Sequence, residues 1–440
     1  MYDKIKLAID KIESASKIKP IKVISHYDAD GITSAAIFSK ALQRWKKSFS
    51  LQIVKGLEEQ FIKDLPEDHL LIFLDLGSGS LDYLKNKKNE VVILDHHEIV
   101  QEIPQNVIMI NPLLNKEKTD MLSAAGICYE FAKTLSIENK DLANLAVIGM
   151  VGDFMDRNIH KTFEEILKDS NTTIKKGLML YPSTRPLDRT LEYSSNPYIP
   201  GVTGDYKGAV ELLRDANIPR IDGKFKSLYE LTEEEMSNLV TAIALRGVEQ
   251  QKLYNHIGNL FLVKFFNKQE DAREFSALIN ACSRMDHPEI SLGFCLGNKK
   301  SKEEAERIYV EYKQHIISAL RFIPEIEKIQ GKNYAIINAK GNIKDTIIGT
   351  VASIISQSPV YDEGTVIVAL AYNEDKIKVS ARIAGRHGKN VREVLNKVVV
   401  PLGGEVGGHH NAAGCLISKE NEAIFISELQ KTLEVELLKV

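Results

Sequence analysis

Short apolar runs that each stop on a histidine or an aspartate set what this chain can fold into. They are Ile21-Lys-Val-Ile-Ser-His26, Leu70-Leu-Ile-Phe-Leu-Asp75, Glu90-Val-Val-Ile-Leu-Asp95-His96-His97 and Leu145-Ala-Val-Ile-Gly-Met-Val-Gly-Asp153. Separated by segments of helical spacing, β-branched runs of this length read as buried strands. The pattern predicts strands at 21–25, 51–54, 70–75, 90–94 and 107–110, and helices at 32–46, 58–64, 79–87, 123–135 and 140–152. Such alternation calls for an α/β fold with a doubly wound, mostly parallel sheet. Ligands of such sheets bind beyond the carboxyl ends of the strands. His26, Asp28, Asp30, Asp75 and His96 all fall at those ends.

Beyond about residue 160 the strand pattern weakens, and Pro and Gly cluster between Pro182 and Gly204. Helical patterns are read at 206–217, 232–256 and 270–284, with Thr232 and Glu235 spaced as a capping box. A long charged helical stretch covers 301–328 and is broken by Pro324. Strand signals return near 334–338, 364–371, 376–383 and 415–418, before a last helix at 420–437. The expected domains are a first at 1–194, a mainly helical insertion at 195–285, a helical connector at 286–329 and a smaller α/β domain at 330–440, facing the first across a cleft.

Composition limits the function classes. The net charge of −3 over 440 residues argues against a wholly basic nucleic-acid binder, so any such site must be local. No apolar run is long enough to span a membrane, and the N-terminus lacks a signal-peptide core. The 4 cysteines lie far apart with no C-x-x-C pair, as expected for thiols in a reducing cytoplasm.

The chemistry rests on residue type at the run ends. In His26-Tyr-Asp28-Ala-Asp30-Gly31 the polar residues alternate, so an extended backbone would aim all of them one way. The plainer alternative is an Asp-Gly turn beside a satisfied core histidine. Asp75 before Leu-Gly-Ser-Gly is, by itself, equally a turn former. With two metals it would bridge them. In Asp95-His96-His97 one imidazole can ligate and the other touch substrate, with Asp95 as the acceptor that orients a ring. Asp153 follows Gly149 and Gly152, small residues that allow close backbone approach, or that simply end a helix. The carboxylates Asp28, Asp30, Asp75 and Asp153 sum to −4, which two divalent cations neutralise. Near the C-terminus, Gly407, Gly408 and His409 lie in a glycine-rich cradle. Arg382 and Arg386 form the densest basic stretch close to it, suited to phosphate clamping. The alternative there is a hinge beside a solvated basic face.

In this order the motifs resemble the DHH phosphoesterase superfamily: H-x-D-x-D-G at 26–31, a lone Asp at 75, D-H-H at 95–97, G-x-x-G-D at 149–153 and a glycine-rich motif at 407–414. Within it the chain is most similar to RecJ-type exonucleases, and more closely to the archaeal RecJ-like type that associates with GINS. The likeness continues in Thr184-Arg185-Pro186-Leu187, Asn196-Pro197, Val202-Thr203-Gly204-Asp205 and Ala272-Arg273-Glu274-Phe275. The resemblance implies two manganese ions, with magnesium or cobalt as substitutes. His26 and Asp28 would hold the first, and Asp30, His96 and Asp153 the second. Asp75 would bridge, His97 would contact the scissile phosphate or assist the leaving group, and Arg382 and His409 would grip substrate.

The expected function is a manganese-dependent exonuclease on single-stranded DNA, running 5′→3′, in replication or repair. The alternatives are a 3′→5′ exonuclease on RNA, DNA or short oligonucleotides, and a replisome scaffold that binds GINS through the middle insertion with secondary nuclease activity.

Overall fold

A computed structural model of the chain describes residues 1–99, 101–115, 121–194, 197–248, 253–254, 256–358, 360–385 and 387–435. Contacts divide it into two units: Met1–Thr190 with Val210–Ala242 and Gln250–Tyr309, and Leu191–Ala209 with Ile243–Glu249 and Val310–Val440.

The first unit opens with α1 (Tyr2–Ala15), β1 (Ile21–His26), α2 (Ala29–Arg44), β2 (Phe49–Val54), α3 (Glu59–Lys63) and β3 (Leu70–Leu74). It continues through α4 (Leu81–Leu84), β4 (Val91–Leu94), β5 (Val107–Ile110), α5 (Ala124–Leu135) and α6 (Ala143–Gly152). The five strands are parallel in the order β2-β1-β3-β4-β5. Successive side chains alternate, and the inner strands β3 and β4 are buried on both faces, while the edge strand β2 is only partly covered. Val23, Ile72, Leu74, Val92 and Leu94 pack in one core with α1, α2, α5 and α6. Ile24, Phe73, Val91 and Ile93 pack in the other with Ile62, Leu81 and Leu84 of α3 and α4. Strand order reverses between β1 and β3, which opens a crevice at their carboxyl ends. His26 ends β1, and Asp75 follows β3 directly.

Helix α2 begins three residues earlier than the extended reading of 26–30 allows. Asp28 is its N-cap, accepting from the Gly31 amide at 3.0 Å, and Asp30 already lies in the first turn. Capping beats extension here because it satisfies an amide that the helix end would otherwise strand. Gly31 is required: a Cβ there would sit 2.3 Å from the His26 carbonyl oxygen.

After α7 (Lys161–Asp169) the first unit holds a feature the periodicity did not predict. β6 (Thr173–Leu178), β9 (Ile257–Phe265) and β10 (Lys268–Asp271) form an antiparallel sheet. The helix expected over 232–256 is found as Glu233–Leu245, with Gly247 in left-handed backbone, φ 85°, just past its end. Leu178 and Ile257 are paired, so the chain between them leaves and re-enters at one point of a hairpin. That stretch includes α8 (Leu187–Glu192), α9 (Tyr206–Asp215), the two-residue strands β7 (Arg220–Ile221) and β8 (Lys224–Phe225), and α10 (Glu233–Leu245). Then come α11 (Ala272–Arg284), α12 (Pro288–Cys295) and α13 (Lys299–Phe322). Pro324 follows α13 in a 3₁₀ turn.

The second unit carries β11 (Lys328–Gly331), β12 (Tyr334–Asn338), α14 (Asp345–Gln357), β13 (Val366–Asn373) and β14 (Lys376–Ile383). It ends with α15 (Val391–Val399), β15 (Val406–His409), β16 (Ala412–Ser418) and α16 (Glu422–Val435). Its sheet runs β11-β12-β13-β14-β16-β15, parallel only between β12 and β13. Among the described residues no helix is long and apolar enough to cross a membrane. All four cysteines are buried and unbridged.

Candidate metal centre

The site is assembled around Asp75. Its backbone is left-handed, φ 59°, a conformation that aspartate tolerates better than most residues, and its side chain is 1% exposed. Its Oδ2 lies 3.3 Å from His26 Nδ1, and its Oδ1 lies 3.3 Å from His96 Nε2. Asp28 Oδ2 joins the first side, 3.1 Å from His26 Nδ1. Asp30 Oδ2 joins the second, 3.7 Å from His96 Nε2, and Asp153 Oδ2 lies 3.7 Å from the other nitrogen of that ring, Nδ1. The extended reading of 26–30 fails in one respect: helix α2 turns Asp30 away from His26 and Asp28 and towards His96. That turn is what divides the acids between two sides of Asp75.

Asp30 is seated on the start of α5. Its Oδ1 accepts from the Ser123 hydroxyl at 2.6 Å and the Ala125 amide at 3.0 Å, and its Oδ2 from the Ala124 amide at 2.7 Å. A helix N-terminus suits a carboxylate because its amides have no helical partners and its dipole is positive there. Gly149 makes room for this seat. A Cβ on it would come 2.3 Å from Thr33 Oγ1 and 3.0 Å from Asp30 Oδ1. Gly152 does the same against Ser276 Oγ, 2.4 Å from the position of such a Cβ. The small residues before Asp153 thus serve close packing, as expected.

Asp95 plays a different part. Its oxygens accept from the amides of Ser78 at 2.9 Å and His96 at 2.8 Å and from His97 Nδ1 at 2.7 Å. It orders the turn that presents both histidines and fixes the His97 ring. The His97 side chain is 45% exposed.

The electrostatics explain what such a cluster can hold. Burial opposes charge on His96, but Asp75, Asp30 and Asp153 outweigh it and push the imidazole up to about 10. His26 also rises, because Asp28 and Asp75 outweigh its burial. Burial lifts Asp153 to about 6, opposed by His96 and helped by Asp75 and Asp28. Burial, with Asp75 beside it, likewise lifts Asp30. Asp95 is held below the usual carboxylate range: burial opposes this, and His97, His96 and Ser78 overcome it. Two like charges 4 Å apart repel by about 4 kcal/mol at an effective dielectric of about 20. Two imidazolium charges cannot balance four carboxylates. Asp75 Oδ1 is also buried without a hydrogen bond, although His96 Nε2 lies 3.3 Å away. A buried carboxylate oxygen left without a hydrogen bond amid hard oxygen and imidazole donors fits divalent cations.

Sequence reasoning missed several neighbours. A cavity of about 230 Å³ joins His26, Tyr27 and Asp28 to Lys55, Asn280 and Arg284. Asn280 Oδ1 accepts from the Ala29 amide at 2.9 Å, and Lys55 Nζ lies 2.7 Å from Asp286 Oδ1. Lys55 was within reach of the strand-end rule, since Val54 pairs with His26 and Lys55 comes next. Ser123 had no such signal.

The second unit gathers the other expected site residues among themselves. Arg382, Ala412 and His409 lie on one rung of its sheet. Arg382 Nε donates to Ser353 Oγ at 2.8 Å, and its terminal nitrogens reach the carbonyls of Ala381, Ala413 and Gly349. Gly407 and Gly408 precede His409 in an exposed edge strand. A Cβ on Gly408, at φ 112°, would sit 2.4 Å from the Ala412 carbonyl oxygen. Arg386 and Asn196 lie outside the described residues.

Comparison with known proteins gives three family models in order along the chain. They are the DHH family N-terminal domain at 20–150, the DHH-CID domain at 180–261 and the DHHA1 domain at 331–435. An uncharacterised protein of Methanocaldococcus jannaschii is 27% identical over 99% of this chain and 100% of its own length. The single-stranded-DNA-specific exonuclease RecJ of Bacillus subtilis is 29% identical over 34% of this chain. Only 21% of that RecJ is covered. Among solved structures, Thermus thermophilus RecJ in complex with Mn2+ aligns with a TM-score of 0.61 at 18% identity, over 97% of this chain and 54% of that one. CDC45 of Entamoeba histolytica aligns with a TM-score of 0.67 at 12% identity, over 98% of both chains. At such identities the structural likeness is one of fold. With the family models and the RecJ relatives it makes the chain a RecJ-like member of the DHH superfamily.

Proposed function

We propose that the chain is a divalent-metal-dependent exonuclease that hydrolyses phosphodiester bonds of single-stranded DNA from the 5′ end. The observation that carries this reading is Asp75, whose two oxygens each face a separate histidine–aspartate set, as a carboxylate bridging two cations requires. His26 and Asp28 would hold one ion, Asp30, His96 and Asp153 the other, and Asp75 both. Manganese is the expected metal, with magnesium or cobalt as substitutes. The mixed donor set and the Mn2+ in the Thermus RecJ structure support that choice. Bound there, two divalent cations would acidify a water and neutralise phosphoryl charge.

The chain's own groups do the rest. Asp95, held ionised, accepts a hydrogen bond from His97 Nδ1–H, which leaves Nε2 as the ring atom for the scissile phosphate or the leaving oxygen. The α5 amides hold Asp30 in one orientation. In the second unit, Arg382, Arg386 and His409, with the bare backbone of Gly407 and Gly408, would grip phosphates of the strand. The name of the B. subtilis relative supports single-stranded DNA as substrate.

The test is hydrolysis of matched DNA and RNA strands, labelled separately at each end, with manganese. Mononucleotides released first from the 5′ label of DNA are expected. Release only from 3′ labels, or from RNA or short oligonucleotides alone, would replace the polarity or the substrate. No hydrolysis of any strand would overturn the reading.

A second reading is a replication-complex subunit that binds GINS through the middle insertion. The fold shared with CDC45 over nearly the whole length of both chains favours it. Co-purification with GINS, before and after clean removal of the insertion, separates this role from nuclease activity.

A further inference from the structure

The turn after Asp153 builds an alternating ladder of cations and rings. Phe154 has left-handed backbone, φ 60°, and is 54% exposed. The Arg157 guanidinium lies 4.9 Å from the centre of its ring, and the Arg273 guanidinium 5.2 Å. Arg273 in turn lies 4.9 Å from the centre of the Tyr181 ring. The order is Arg157, Phe154, Arg273, Tyr181.

The two arginines are not equivalent. Arg273 is 17% exposed and forms an ion pair with Asp156, which is 3% exposed. This pair pins the turn to the start of α11. Arg157 is exposed, and among the described residues no carboxylate pairs with it. Asp156, the acid beside it in the chain, is already taken by Arg273. Phe154 therefore carries, on its open side, a guanidinium without an acid partner. It stands four residues past a carboxylate of the metal cluster and is joined to it by a 3₁₀ turn.

A stacked guanidinium keeps its planar fork of donors free for an anion. Stacking also fixes the side chain before binding, so less rotamer freedom is lost on contact. The chain's acidic cluster and its nuclease reading both call for cationic groups along the path of the strand, since cluster and strand share a sign of charge. We propose that Arg157 is a phosphate-binding residue of this site, contacting a phosphodiester that neighbours the scissile one. This rests on the nuclease reading above and adds to it a residue that the motifs do not mark.

The experiment compares the whole manganese-loaded chain with Arg157→Ala and Arg157→Lys in steady-state hydrolysis of a labelled DNA strand across several salt concentrations. Arg307→Ala serves as a control, because Arg307 is paired with Glu304 on exposed α13. For Arg157→Ala, KM should rise roughly 5- to 30-fold with kcat changed less than about threefold. The slope of log kcat/KM against log salt should become shallower by about 0.7, the loss of one phosphate contact on a single strand. Arg157→Lys should keep most of the slope while recovering only part of the KM, because it keeps the charge and loses the fork. A merely structural arginine would not move the salt slope. An unchanged slope and KM in Arg157→Ala would overturn the assignment, as would the same changes in Arg307→Ala. If wild type hydrolyses no strand, the nuclease reading itself fails, which is a different result from an active enzyme indifferent to Arg157.

Discussion

Replacing Ser123 with alanine removes one of the three donors that seat Asp30. The side chain is fully buried, and its hydroxyl donates to Asp30 Oδ1 at 2.6 Å. The amides of Ala124 and Ala125 remain, so the carboxylate keeps a partner on each oxygen. The loss depends on the charge of Asp30. With a cation bound, Asp30 is ionised and the lost hydrogen bond is worth about 1.5–3 kcal/mol. Without metal, burial and Asp75 favour the protonated acid, and the same contact is worth about 0.5–1.5 kcal/mol. The difference, about 1–1.5 kcal/mol, should appear as metal affinity weaker by roughly 5- to 12-fold. Calorimetric titration of metal-free wild type and Ser123→Ala with manganese measures it directly. Denaturant unfolding in a chelator should show the smaller, metal-free loss. Equal affinities in the two proteins would refute the claim that the start of α5 prepares Asp30 for a cation.

Other outcomes follow from the same geometry. Metal uptake should release protons, because His96 is pushed up to about 10 and Asp153 to about 6, and both must be deprotonated to ligate. Apparent affinity should therefore climb as pH rises from 5.5 to 8.5, and titrations in buffers of different ionisation heat should count the protons; a pH-independent affinity would contradict this. Gly149→Ala should lose about 1–3 kcal/mol in denaturant unfolding, since its Cβ would meet Thr33 Oγ1 at 2.3 Å and Ala125 Cβ at 2.5 Å. Gly79→Ala, with nothing within 4 Å of a Cβ, should stay within about 0.5 kcal/mol of wild type. Asp95→Asn should lower kcat about 10- to 100-fold at saturating metal, because it loosens the His97 ring and the turn that presents His96 while replacing no proposed ligand. An unchanged kcat would contradict this role.

The parallel sheet was legible because its strands are short apolar runs, buried except at the edge strand β2, each closed by a polar residue. All five strands fall within two residues of the positions read from the sequence. The start of α2 was not legible, because Asp28 could be read as extended or as a cap, and only the packed Asn280 and the His26 carbonyl decide between them. The antiparallel sheet escaped for a related reason. Thr173–Leu178 is half polar, with two lysines, and its partner lies some eighty residues away across the insertion. Pairing at that distance leaves no local period to read. The eight polar groups of the centre were named from their place at element ends. What orients them was not: Ser123 and the α5 amides reach Asp30 only through the tertiary fold.

The most direct test of the centre is electron paramagnetic resonance of the chain loaded with manganese to saturation. Two ions per chain should give the spectrum of a spin-coupled pair, since a shared carboxylate sets metals roughly 3.5–4 Å apart. Asp75→Asn should lose that coupling. A single bound ion, or two that remain magnetically independent in wild type, would contradict a bridging Asp75 and with it the two-metal site.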